Sequence, residues 1–86
     1  MNLDKELCSN VGVSAAIVYE VIKEQSREHG VPFDGHLFVR LSVREIAEIV
    51  PFLSRRTITR ALTKLEEKSL VESKLFTGTT RWRRAI

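Results

Sequence analysis

The chain has one cysteine, one tryptophan, two prolines and two histidines, and nowhere a long apolar run. Each shortage excludes something. A single thiol, Cys8, cannot close an intramolecular disulfide or supply a cysteine-based zinc cluster, and its expected place is that of a small buried hydrophobe. His29 and His36 have no companions at metal-ligand spacing, and no Ser, Cys or His is set out as a nucleophile with its base. No metal, cofactor, small-molecule ligand or enzymatic activity is therefore expected. No stretch approaches the ~18 apolar residues of a membrane span. The acidic opening, MNLDKELCSN, also lacks the apolar segment of a signal peptide, so no membrane and a cytoplasmic location are expected.

What is present is ordinary for a packed protein: 86 residues, 43% hydrophobic and 29% charged, enough for a single domain over 1–86. The formal charge of +3 conceals two opposed halves. Residues 1–53 hold five Lys/Arg against eight Asp/Glu, net −3, whereas residues 54–86 hold nine against three, net +6. Such polarisation draws a polyanion to one side and leaves the other for a different task.

The punctuation separates five segments. Leu3 and Leu7 mark a short helical turn over Asn2–Cys8. Ser14 is the expected cap of a long first helix over 14–29, with Ile17, Val18, Val21 and Ile22 on one stripe and Gly30 as its stop. VPFDGH supplies turn residues, and 36–41, HLFVRL, has the aromatic and β-branched content of a short strand. Ser42 and Glu45 form a capping box for a second helix over 43–50, closed by Pro51. Ser54 caps a third helix over 54–68, whose Ile58, Ala61, Leu62 and Leu65 fall within ~60° of one another on a helical wheel. Residues 70–86 alternate as a β-hairpin with Gly78 at its turn. The predicted order is helix, strand, helix, helix, hairpin: a mainly α, α+β fold in which two closely spaced helices cross the first and a β-ribbon follows.

The third helix turns Arg56, Thr59, Arg60, Thr63 and Lys64 outward, and Arg55, Arg56, Thr59 and Arg60 occupy its leading portion. Arginine matches guanine O6 and N7 in a bidentate fork, and threonine offers a hydroxyl to phosphate or base and a methyl to thymine. Ser54, Thr57 and the free amides at the helix start suit a phosphate. Threonine is a poor helix former, so three of them on a merely solvated face need another reason. The ribbon repeats the basic signal with Arg81, Arg83 and Arg84, placed for backbone phosphates or the minor groove. Trp82 among them is assigned to plugging the ribbon against the helices, near Phe38 or Leu75, in preference to stacking on bases.

LSVREIAEIVPFLSRRTITRALTKLEEKSLVE resembles the winged helix-turn-helix domains of bacterial and phage regulators, and more narrowly those of phage replication-initiation and replisome-organiser proteins. NVGVSAAIVYEVI is similar to the first helix of that group, and TTRWRR to the returning strand of its wing. The resemblance implies a contact with double-stranded DNA through the third helix and the wing, using Arg55, Arg56, Thr59, Arg60, Arg81 and Arg83. Ser69 stands where the family usually has glycine, which puts ~1 kcal/mol on a left-handed helix terminus. Replisome organisers continue into further domains that these 86 residues do not contain. The expected function is a small sequence-specific regulator of phage or mobile-element transcription. The alternatives are an origin-binding replication factor and a protein-interaction module for an antirepressor or polymerase subunit. Two copies on adjacent half-sites would supply specificity, and Leu3, Leu7, Ala15, Tyr19 and Ile22 are the candidate homodimer interface.

Overall fold

The computed structural model describes residues 3–76, 78 and 80–86. Among them the order is α1 (Lys5–Val11), α2 (Val13–His29), β1 (Val31–Phe33), β2 (His36–Arg40), α3 (Val43–Ile49), α4 (Arg55–Glu67), β3 (Val71–Lys74) and β4 (Trp82–Ala85). The class is α+β as expected, in an arrangement compatible with a small winged helix. The order gains a helix and a strand over the expected one.

α1 begins later than the anticipated Asn2–Cys8 turn, because Asp4 caps it by accepting from the amides of Glu6 at 2.8 Å and Leu7 at 3.4 Å. Asn2 lies outside the described residues. Gly12 ends α1 and starts α2 at φ 87°, a conformation costly for any residue with a Cβ. The chain therefore turns from one helix into the next without a loop. Ser14, the expected cap, lies inside α2, whose start has no side-chain cap bond.

α2 is the centre of the fold, packed by α1, α3, α4 and the strands β2 and β4. It buries Ala15, Ala16, Val18, Val21 and Ile22 in a core completed by Ile46, Ile58, Leu62 and Leu65. This corrects the proposed homodimer surface. Ile22 is fully buried and Ala15 nearly so, Leu7 and Tyr19 pack partly against the core, and Leu3 stands exposed without them. A helix wrapped on several sides buries more of its circumference than the single stripe a wheel assigns. The Tyr19 hydroxyl donates to the Ile86 carbonyl at 2.7 Å.

Asp34 and Gly35 follow one another at φ 51° and 80°, a two-residue turn that pairs Phe33 with His36 and makes Val31–Phe33 the strand β1, where the sequence predicts only turn residues. The sheet is antiparallel in the order β1-β2-β4-β3, with Val39 opposite Arg83 and Arg40 opposite Trp82. Alternation then sorts the side chains. Val39, Leu41, Val71 and Ala85 face the helices and join the core. Trp82 takes the other face, where Phe33 stacks on Phe76 at 4.3 Å and meets Trp82 edge-on at 5.4 Å, with Phe38 beneath. The indole thus seals the β1–β2 hairpin to the base of the ribbon; it does not plug the ribbon against the helices. Between β3 and β4 the chain is longer than a tight hairpin turn: Lys74 pairs with Trp82. Gly78 has the expected positive φ of 72°, and Thr77 and Thr79 lie outside the described residues.

Candidate nucleic-acid interface

α4 begins where Ser54 Oγ accepts the Thr57 amide at 3.1 Å and donates to Thr57 Oγ1 at 2.9 Å. With the Thr57 amide taken, those of Arg55 and Arg56 remain at the positive end of the helix, and its first turn holds no acid to neutralise it. Ile58, Ala61, Leu62 and Leu65 are buried, which turns Arg55, Arg56, Thr59, Arg60, Thr63 and Lys64 to solvent. The helix leaves in a left-handed turn: Ser69 has φ 58°, its amide bonds to the Glu66 carbonyl at 3.1 Å, and the Leu70 amide reaches back to Leu65 at 2.9 Å. Serine here makes the Schellman exit that glycine usually makes.

The cations fan across the exposed surface. Arg60 and Lys64, with Thr57, border a groove of ≈ 200 Å³ against Val11, Ser14 and Ala15. Glu66 lies on the opposite flank, towards the sheet, where its field acts on Arg83. Helix geometry puts Arg55 and Thr59 on that same flank, three and two turns earlier, and leaves Arg56 and Thr63 between the two flanks. Arg55, Arg56, Arg60 and Lys64 form no ion pair among the described residues. Their charge is uncompensated. The threonine hydroxyls are not free in the same sense: Thr59 Oγ1 donates to the Arg55 carbonyl at 2.9 Å and Thr63 Oγ1 to the Thr59 carbonyl at 3.1 Å.

On the ribbon the three arginines separate. Arg81 is exposed and without an ion pair among the described residues. Arg83, expected at a phosphate, is 6% exposed and turned to the helix side of the sheet, where Nε donates to the Leu41 carbonyl at 2.8 Å and a terminal nitrogen donates to Ser73 Oγ at 2.9 Å. Burial lowers its pKa, the Glu66 carboxylate opposes that shift and Arg81 adds to it. Arg83 is a structural tie and not a surface cation, because its register opposite Val39 points it inward. Arg84 faces the other way but is also occupied: Nε donates to Glu72 Oε1 at 3.2 Å and the guanidinium lies 5.9 Å from the centre of the Phe38 ring. Arg84, expected among the DNA contacts, is thus engaged by Glu72 and Phe38 on the outer face of the sheet.

Arg40 is the cation that sequence reasoning missed. It is exposed, unpaired among the described residues, and opposite Trp82, while the next residue, Leu41, bonds to the Arg81 carbonyl at 3.2 Å. Arg40 and Arg81 thus stand at one end of the sheet. Its place in the acidic half of the chain hid it; the alternation of HLFVRL, with Val39 inward, is the signal that could have found it.

No family model matches the chain, and no curated protein is significantly similar to it. The fold is similar to a solved structure described as the N-terminal domain of a DNA-binding protein, with a TM-score of 0.65 at 18% identity. The alignment covers 99% of this chain and 62% of that one, so the present chain spans less than two thirds of the length of the chain it resembles.

Proposed function

We propose that the protein binds double-stranded DNA, with α4 in the major groove and the Arg40–Arg81 end of the sheet against the backbone, and that it serves as a small sequence-specific regulator. The observation that carries this reading is the row Arg55, Arg56, Arg60 and Lys64: four exposed cations on one helix, none of them neutralised by a carboxylate among the described residues. Unpaired cations at this density repel one another, and a polyanion relieves the repulsion while releasing its own counterions. The arginines sit in the leading turns of the helix, the part that approaches base edges when such a helix enters the groove. The acids Glu66 and Glu67 come at its far end. A DNA-binding protein as the structural neighbour supports the same reading. No catalytic step belongs to it.

The experiment is selection of bound duplexes from a random library, followed by anisotropy titrations on the selected and a scrambled duplex. Arg56→Ala and Arg60→Ala are expected to cost ~1–3 kcal/mol on the selected site and to relax base preference. Arg81→Ala is expected to weaken both duplexes alike and to flatten the salt slope by about one. A library without enrichment, or helix variants that bind like the parent, would end the proposal and leave an acidic protein partner as the use of these arginines.

A further inference from the structure

Two hydrogen bonds on α4 carry an inference that rests on the DNA-binding reading and sharpens it. Thr59 Oγ1 donates to the Arg55 carbonyl at 2.9 Å, and Thr63 Oγ1 donates to the Thr59 carbonyl at 3.1 Å. Both residues are exposed, so water is an available partner, yet both hydroxyls turn back on the helix. A hydroxyl has one proton to give, and here it is given to the backbone. Neither side chain keeps a donor for a phosphate oxygen or for a base acceptor. The bond also selects the rotamer, since a β-branched side chain in a helix has few staggered positions and only some bring Oγ1 to the carbonyl four residues earlier. With the oxygen held against the preceding turn, the γ-methyl is the outward group of each threonine.

The outer surface of α4 therefore presents two methyls beside unpaired guanidinium groups. Thr59 and Thr63 are one turn apart, ~6 Å along the axis, which is a little under two steps of ~3.4 Å in a duplex strand. In the major groove thymine is the base that carries a methyl, at C5. We propose that α4 reads thymine methyls at two positions one or two steps apart through Thr59 and Thr63, beside guanine contacted by Arg56 or Arg60. The threonines are specificity residues by their carbon, not their oxygen.

The test removes the methyl from either side of the contact. In the selected duplex, each thymine under α4 is replaced by deoxyuridine, which differs only in lacking that methyl; Thr59 and Thr63 are changed separately to Ser and to Val. The expected loss is roughly 4-fold per methyl, the transfer value of one such group. Ser variants should lose that much on the thymine duplex and nothing further on the deoxyuridine duplex, while Val variants should bind like the parent. Thermal melting of each variant verifies that it is folded. Equal affinity for thymine and deoxyuridine duplexes, or Val variants as weak as Ser variants, would overturn the inference while DNA binding stands. A protein that enriches no duplex removes the reading beneath it, and this one too.

Discussion

Arg83 on the last strand donates from Nε to the main-chain carbonyl of Leu41 at 2.8 Å, across a sequence separation of 42. The same guanidinium reaches Ser73 Oγ at 2.9 Å, so one side chain ties β4 to β3 and to the residue that leads into α3. Arg83→Ala leaves a buried carbonyl without its donor and a void beneath the sheet. The expected cost is ~2–4 kcal/mol of folding stability, measured by urea denaturation. DNA affinity of the protein that remains folded should be unchanged. An unaltered denaturation midpoint would contradict this role for Arg83.

Ser69 holds φ 58° at the exit of α4, in a region where a Cβ is strained. Ser69→Gly removes the strain at the cost of a more flexible unfolded chain. A net gain of ~0.5–1 kcal/mol is expected, visible as a higher melting temperature. A loss would mean that the serine side chain supplies a contact worth more than the strain.

Ser42 and Glu45 cap α3 reciprocally: the Glu45 amide donates to Ser42 Oγ and the Ser42 amide to Glu45 Oε1, both at 3.1 Å. Ser42→Ala should destabilise by ~1 kcal/mol. Because the two bonds close one box, Ser42→Ala and Glu45→Ala together should cost less than their sum, which a double-mutant cycle reads directly.

Phe33 touches Phe38, Phe76 and Trp82 and ties β1 to the base of the ribbon, beside the β2–β4 pairing and the edge contact of Phe38 with Phe76. Phe33→Ala is expected to cost ~2–3 kcal/mol, somewhat below the figure for a fully buried ring because Phe33 is half-buried. Emission from the single tryptophan should shift to the red in the folded variant. An unshifted spectrum with unchanged stability would place the sealing contact elsewhere.

Local chemistry made much of this fold legible. The serine-led starts of α3 and α4, the inward stripe of α4 and the stop at Gly30 are all written in near neighbours, and all stand in the structure. Even the stop has a further reason: a Cβ on Gly30 would come within 2.1 Å of the Ser26 carbonyl oxygen. β1 was missed although Asp34-Gly35 is a strong hairpin signal, because Val31–Phe33 is too short to show alternation and contains Pro32. The cations of α4 could be named from the wheel. Those of the ribbon could not be ranked, since period two says only that neighbours oppose, not which of them faces inward.

The sequence by itself determined what depends on a few adjacent residues: capped helices, a one-sided apolar stripe, and a helix whose other side is basic. Only the tertiary structure decided which arginines remain available, and which faces of α2 are covered. Helix and turn geometry follow from bonds spanning a few residues, whereas burial depends on what arrives from elsewhere in the chain. The arrival of Leu41 opposite the end of β4 takes Arg83 out of the surface, and the packing of α1, α3, α4 and the sheet around α2 takes Ala15 and Ile22 into the core.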